Sequence, residues 1–314
     1  MKEKDFISVI KRLSESNYIG DDCAYLKDLG IVVTQDSLVE DVHFKLEYIT
    51  PFQLGYKSVM VNLSDVAASG ADAAYITISL SLPSYITEDF VENFYKGVKE
   101  ACAGKIQVIG GDITGGDKVF ISICAIGKTC KRKISSRRNA KIGYKVLVSG
   151  VHGSSSVGLQ LLLEGKKQPE KFIKSHLLPQ AQIEFGARIS QNVCEDYAMM
   201  DTSDGLMDAL STIANDSEVL LEIDFNKIPI DEDLKNFSNW QDMVLFGGED
   251  YGIVAVVPQS CPDFGVEIGQ VKKGLGVDLL SNDGTVHYLK QDVENKVFNH
   301  FKTTFDDKIF TEDK

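Results

Sequence analysis

Strand-like and helix-like segments alternate along this chain in two successive series, divided by a basic stretch poor in core-forming residues. Such alternation points to α/β layers, because a strand and the amphipathic helix after it bury their apolar faces by packing on one another. In the first series Ile31 to Val33 is a short β-branched run. Gly55 to Ser69 has helical periodicity, with Val59, Leu63, Val66 and Ala67 on one side, and Ala74 to Leu82 reads as a strand ended by Pro83. Thr87 caps a helix running to Ala103, with Phe90, Phe94 and Val98 at helical spacing. Ile106 to Ile109 and Val119 to Ile126 are further strands, joined by a glycine-rich turn. Lys128 to Lys141 holds seven Lys or Arg residues and reads as a surface connection between domains.

The second series opens with a strand at Lys145 to Val148. Helices are expected at about Ser155 to Leu163, Gln180 to Gln191 and Asp204 to Asn215, with strands at Val219 to Asp224 and Gly252 to Val257. The expectation is therefore an α/β (α+β) chain of two domains, 1–135 and 136–314, with polar residues after Thr303 fraying from the end. No apolar run approaches the roughly 20 residues needed to span a bilayer, and Met1 to Ile10 shows no apolar core of a signal peptide. The cysteines at positions 23, 102, 124, 130, 194 and 261 form no short paired spacing, which fits a reduced, cytoplasmic protein. A formal net charge of -13, from 46 acidic and 33 basic residues, argues against nucleic acid as a partner.

Acid stands in this sequence where a neutral turn residue would serve. The segments are Gly20-Asp21-Asp22, Asp36 after Val32-Val33-Thr34-Gln35, and Asp65 three residues after Asn62 on one helix face. They continue with Gly110-Gly111-Asp112, Gly115-Gly116-Asp117, Asp201-Thr202-Ser203-Asp204-Gly205 and Gly247-Gly248-Glu249-Asp250. Taken singly, each is ordinary turn or capping chemistry, as Asp204 before its helix illustrates. Seven such sites in 314 residues exceed what loops require. Carboxylates brought together repel unless a cation neutralises them, and oxygen ligands suit a hard ion, Mg²⁺ or Ca²⁺. With glycines that let backbone N–H groups approach an anion, this chemistry fits a metal-bridged polyphosphate. Gly127-Lys128-Thr129 lacks the upstream glycine of a P-loop, and neither a Gly-x-Gly-x-x-Gly fingerprint nor a protein-kinase catalytic loop is present.

In order, the segments Ile19-Gly20-Asp21-Asp22, Thr34 to Phe44, Val61 to Ala71, Ile109 to Thr114, Asp201 to Leu206 and Gly247 to Tyr251 resemble the thiamine-monophosphate kinase family. That family belongs to an ATP-binding superfamily with aminoimidazole ribonucleotide synthetase, selenophosphate synthetase and a hydrogenase maturation factor. The resemblance runs from about Gly20 to about Phe301. It implies a two-domain fold like that of aminoimidazole ribonucleotide synthetase, with a mixed N-terminal sheet at a homodimer interface and the active site between the domains. It implies Mg²⁺ ligation at Asp22, Thr34, Asp36, Asp65, Asp112, Asp201 and Asp204, of which Asp112, Asp201 and Asp204 would be catalytic. Tyr95, Asp112, Arg137 and Ser203 would hold ATP, and His43, Glu249 and Phe298 would hold thiamine monophosphate. The implied reaction is in-line transfer of the γ-phosphoryl group to the substrate phosphate, without a covalent enzyme intermediate.

The residues suit those roles. An anionic acceptor needs charge neutralisation and alignment more than a strong base. An arginine offers planar donors to phosphate, and a cationic thiazolium favours a carboxylate and an aromatic ring. Gln35 stands where a second Thr is usual, His152 follows Gly150-Val151 in place of an aspartate, and Asn139 replaces a glycine. The adjacency of Arg137 and Arg138 leaves open which of them faces phosphate. Taken alone, His43 reads as an ordinary packed or solvent-facing histidine, Tyr95 as core beside Phe90 and Phe94, and Asp21 and Asp117 as turn formers. Three alternatives remain at this level: another enzyme of the superfamily that activates a carbonyl or carbamoyl oxygen, a non-catalytic nucleotide or metal regulator, and a dimerisation module with a decayed site.

Overall fold

Thr50 starts the helix around which the molecule is arranged. Its hydroxyl accepts from Gln53 N at 3.3 Å while Gln53 Oε1 accepts from Thr50 N at 2.9 Å. This reciprocal cap, with proline in the first turn, starts α2 (Pro51–Ser69) ahead of the Gly55 that apolar periodicity marks. Gly70 ends it in the left-handed conformation at φ 82°. Fifteen of its 19 residues are buried, so α2 is enclosed on every side and not laid on a surface. The computed structural model describes residues 3–298, and the expected frayed end after Thr303 lies outside them.

Around α2 the first half of the chain forms α1 (Glu3–Ser14), β1 (Ala24–Leu26), β2 (Ile31–Val39), β3 (Asp72–Leu82), α3 (Glu88–Cys102), β4 (Gln107–Gly115) and β5 (Phe120–Lys128). The strands make one sheet in the order β1-β2-β5-β3-β4, in which only the β3–β4 pair is parallel. As anticipated, Thr87 caps α3 by accepting from Phe90 N at 3.3 Å. The face of the sheet carrying Ile76, Ile78, Leu80, Ile121 and Ile123 is buried under α2 and α3.

Two turn expectations fail in this half: Asp36 lies inside β2, and a second fails in β4. The segment Gly110-Gly111-Asp112 is not a turn: β4 runs straight through it, and the chain reverses at 116–119. Backbone proximity explains this, because a Cβ on Gly111 would lie 1.9 Å from the Ile78 carbonyl oxygen of the parallel neighbour. The glycine is there for close strand pairing.

The second half comprises β6 (Lys145–Val148), α4 (Ser154–Leu163), α5 (Glu170–Leu177), α6 (Ile183–Asn192), β7 (Ala198–Asp201), α7 (Leu206–Asp216), β8 (Leu220–Asp224), α8 (Trp240–Phe246), β9 (Ile253–Val257), β10 (Val266–Lys272), β11 (Gly276–Ser281), β12 (Gly284–Tyr288) and α9 (Lys290–Val293). Its sheet order is β12-β11-β8-β10-β6-β9-β7, antiparallel throughout except for β11 against β8. The short helices α5 and α8 and the strands β10 to β12 carry patterns too brief or irregular for the sequence to show. β12, for example, has four exposed residues out of five.

The two lobes meet on the C-terminal half of α2. Ala67 and Ala68 are buried among Leu147, Phe185, Ile189, Met199, Ile253 and Ala255 of the second lobe. A Cβ on Gly186 of α6 would lie 2.1 Å from the Ala67 carbonyl oxygen, so helix backbones touch here. The small residues Ala67-Ala68 therefore serve as the seam, and that seam brings α2 against the end of β7.

Candidate active site

Ser64 lies one turn before Ala67-Ala68 and points across the seam. Its hydroxyl donates to Asp201 Oδ2 at 2.7 Å, and Ser203 donates to Asp201 Oδ1 at 2.9 Å. On the first lobe, Thr34 at the centre of β2 donates to Asp65 Oδ2 at 2.5 Å. The Asp36 backbone N–H donates to Asn62 Oδ1 at 3.0 Å, which aligns the polar stripe of α2 with β2. Asp22, Asp65 and Asp201 each offer a carboxylate oxygen, and the three lie within 4.8 Å of one another. A loop, a helix and a strand end from two lobes thus converge on one point.

The charges there are crowded. Burial pushes the Asp65 carboxyl well up from the ordinary range, and the charges of Asp36, Asp201 and Asp22 add to the rise. Asp201 is pushed up to about 7, first by burial and then by Asp22, against the two serine hydroxyls. Arg137 supplies positive charge, its Nη2 lying 2.9 Å from Asp22 Oδ1. Burial works against that guanidinium, yet Asp22 holds it firmly charged. Asp21 fixes the arginine's backbone, accepting from Arg137 N at 2.7 Å and from the Ser136 hydroxyl at 3.1 Å. Arg137 Nε is buried with no partner among the described residues. Arg138 is exposed, with its guanidinium beside Gly20. Of the two arginines, Arg137 is the one that faces the carboxylates.

The carboxylates of Asp22, Asp65 and Asp201, one buried and two partly buried, are oxygen donors of the kind a hard divalent cation takes. The crowding of negative charge supplies the need for one.

The remaining expected residues fall in three groups. Asp204 lies before the first turn of α7, and its charge reaches Tyr251 together with those of Asp36, Asp201 and Glu249. His43 Nδ1 accepts from Val39 N at 2.9 Å, which leaves the ring proton on Nε2, and its ring centroid lies 6.5 Å from that of Phe298. Glu249 is held by a fully buried lysine, Lys57, at 3.1 Å. Asp112 and Tyr95 stand elsewhere. Asp112 pairs with Ser79, which pairs with Ser122, on the sheet face opposite Ile78 and Ile123, and it is exposed on the edge strand β4. Tyr95 packs edge-on against Phe94 at 5.6 Å. It lies on α3 level with Phe52 to Tyr56, about 14 Å along α2 from Asp65 at 1.5 Å per residue. Within this single chain, neither joins the carboxylate group.

Asp250 carries the same acid-after-glycine signature but does different work. Its carboxylate accepts from the backbone N–H groups of Gly153 and Ser155, so it caps the N-terminus of α4, where no local side chain does. Burial nevertheless raises it to about 7. The residues on either side of it, Glu249 and Tyr251, both adopt positive φ, 65° and 50°. Sequence reasoning missed Lys57, Tyr48 and His176, which surround Glu249. A lysine in the otherwise apolar or small run Gly55 to Val61 was the available signal.

The sequence and the fold have counterparts among known proteins. A family model described as "AIR synthase related protein, N-terminal domain" matches residues 20–129. The thiamine-monophosphate kinase of Aquifex aeolicus (strain VF5) is 38% identical over 314 residues, covering 95% of this chain and 98% of the relative. That of Bacillus subtilis (strain 168) is 36% identical, covering 90% and 93%. The solved structure of AaThiL complexed with AMPPCP and TMP superposes with a TM-score of 0.82 at 38% identity, over 88% of this chain and 93% of that one.

Proposed function

As this chain belongs to the thiamine-monophosphate kinase family, we propose that it phosphorylates thiamine monophosphate with ATP at the seam between its lobes. The observation that carries the reading is the convergence of Asp22, Asp65 and Asp201 across the seam. No local feature of either lobe needs that convergence, and it is electrostatically costly unless a cation is held there.

The family resemblance and the donor set together support Mg²⁺ at Asp22, Asp65 and Asp201, with Asp36, Thr34 and Asp204 completing the ligand sphere. Divalent cations held by these residues would neutralise phosphate charge in the transition state. The protein's own residues align and restrain. Thr34, Ser64 and Ser203 orient carboxylate oxygens through the hydrogen bonds described above. Arg137 Nε, a buried donor without a protein partner, suits a phosphate oxygen of ATP, and Asp21 holds the arginine in place for it. His43 and Phe298 form an aromatic pair at the acceptor end, and Glu249 supplies negative charge for a cationic ring. An oxygen of the acceptor phosphate attacks the γ-phosphorus in line, the bond to the β-phosphate oxygen breaks, and ADP leaves.

A homodimer is part of the proposal. All nine residues of β4 are exposed, including Val108, Ile109 and Ile113 at 44%, 54% and 64%, and the strand's outer edge has no neighbour among the described strands. An apolar edge strand of that length is a pairing surface, and a second copy of the sheet suits it. Such pairing would also set Asp112 in an interface, which offers that residue a role the single chain does not. A cytoplasmic location fits the reaction; no helix among the described residues is long and apolar enough to cross a membrane.

The test is incubation of the purified protein with ATP, Mg²⁺ and thiamine monophosphate, with Asp204→Asn in parallel. Thiamine diphosphate and ADP should form in equal amounts, and the variant should lose orders of magnitude in rate. ATP binding without thiamine diphosphate would overturn the assignment.

A further inference from the structure

Lys57 is 1% exposed in the middle of α2, where an apolar residue would pack without having to be stripped of water. Its Nζ lies 3.1 Å from Glu249 Oε2 of the second lobe and 3.5 Å from His176 Nε2 on α5. A lysine ammonium has donors only, so His176 Nε2 must accept from it. The imidazole is also 1% exposed, and burial followed by the charge of Lys57 holds its pKa down to about 3, so the ring is neutral. Its one proton then sits on Nδ1, which lies 3.2 Å from Glu249 Oε2 and 3.0 Å from the hydroxyl of the fully buried Ser155. Glu249 Oε2 thus lies within reach of two donors, one from each lobe, while the glutamate stays 24% exposed. Tyr48 closes this side, its ring 6.4 Å from that of His176 and its hydroxyl buried without a partner among the described residues.

We infer that Lys57, seconded by His176, is a positioning residue for the acceptor: it fixes the Glu249 carboxylate across the lobe seam where the cationic part of thiamine monophosphate is held. The inference rests on the reading of Glu249 given above. A buried ion pair is weak support for stability, since an apolar pair of similar volume often serves as well. Here the pair joins an enclosed helix to a partly exposed loop residue at positive φ, and rigid placement of that carboxylate is what the arrangement achieves. ATP-side residues are not part of it: Arg137 and Ser203 bond to Asp22 and Asp201 instead.

The experiment is steady-state kinetics on the full chain with thiamine monophosphate and ATP varied separately, for Lys57→Met, Glu249→Gln, the double variant and His176→Gln, with thermal melting of each. Lys57→Met should raise KM for thiamine monophosphate about tenfold or more while leaving KM for ATP within about twofold. The double variant should be no worse than the worse single one, because Lys57 acts through Glu249. Losses that multiply, equal shifts in both KM values, or an unchanged acceptor KM in a folded Lys57→Met protein would overturn the inference. An unchanged acceptor KM in Glu249→Gln alone would instead remove the reading of Glu249, and this inference with it. If Lys57→Met does not fold, His176→Gln, which removes the second donor and leaves the Lys57 ammonium in place, carries the same criterion.

Discussion

Replacing Asp201 with Asn should make the metal-free protein more stable at alkaline pH, although it removes a residue of the candidate site. Asp201 is fully buried, and its carboxyl is carried from the ordinary 3.8 up to about 7. A carboxyl with a raised folded-state pKa burdens the folded state only when it ionises. The burden is absent below about pH 4, grows as pH rises, and is complete above about pH 7. At about 1.4 kcal/mol for each pH unit between the two values, the full cost is on the order of 4 kcal/mol. Coulomb repulsion gives the same scale, since two carboxylates 4.8 Å apart at an effective dielectric near 20 repel by about 3 kcal/mol. Between about pH 5.5 and 8.5, Asp201 alone should therefore take about 2 kcal/mol from the metal-free protein. Asn keeps the volume and can still bond Ser64 and Ser203, whose hydroxyls rotate to suit. Urea unfolding at several pH values, with chelator and then with Mg²⁺, measures this. The variant should lose less stability than the wild type as pH rises, and Mg²⁺ should stabilise the wild type far more than the variant. Parallel pH slopes in chelator, or a variant less stable than the wild type at about pH 8.5, would refute the claim that charge crowding organises the site.

Other perturbations test other parts of the same structure. Thr34→Val withdraws the hydroxyl that donates to Asp65 at 2.5 Å and should destabilise the fold by about 1–3 kcal/mol at neutral pH, read by urea unfolding. Gly186→Ala forces a methyl group to within 2.1 Å of the Ala67 carbonyl oxygen. It should cost about 1–3 kcal/mol and lower kcat by parting Ser64 from Asp201, so a variant with native stability and rate would contradict the seam. Arg137→Lys should raise KM for ATP whereas Arg138→Ala should leave it near wild type, and the reverse order would assign the phosphate contact to the exposed arginine. Ile113→Lys on the exposed edge strand should shift the protein to monomer in sedimentation velocity if that strand pairs two copies.

Much of the site could be read in one dimension, because carboxylates that must gather around a cation leave acid in positions where a turn needs none. Asp22, Asp65 and Asp201, which the structure brings together, were legible in that way, and the alternation of elements announced both sheets. Three things were not legible. Asp250 has the same acid-after-glycine pattern as its neighbours, yet only its distance from the first turn of α4 makes it a cap. Asp112 reads as a turn acid until pairing with β3 places it in a strand, where alternation turns it away from the helix-covered face. Lys57 gives a faint signal, a charge within an apolar run, and its partners stand 119 and 192 residues further along the chain.

The sequence alone determined that the chain carries oxygen ligands for a hard cation beside glycines that let backbone N–H groups approach an anion. Residue types and their local spacing carry that information. Tertiary structure alone decided which of those groups act together. Ala67-Ala68 and Gly186 let α2 and α6 touch backbone to backbone, and that contact sets Ser64 against Asp201 and Lys57 against Glu249. The physical reason is that hydrogen bonds and charge contacts fade within a few ångströms, while the position of one lobe on the other depends on packing summed over the whole seam.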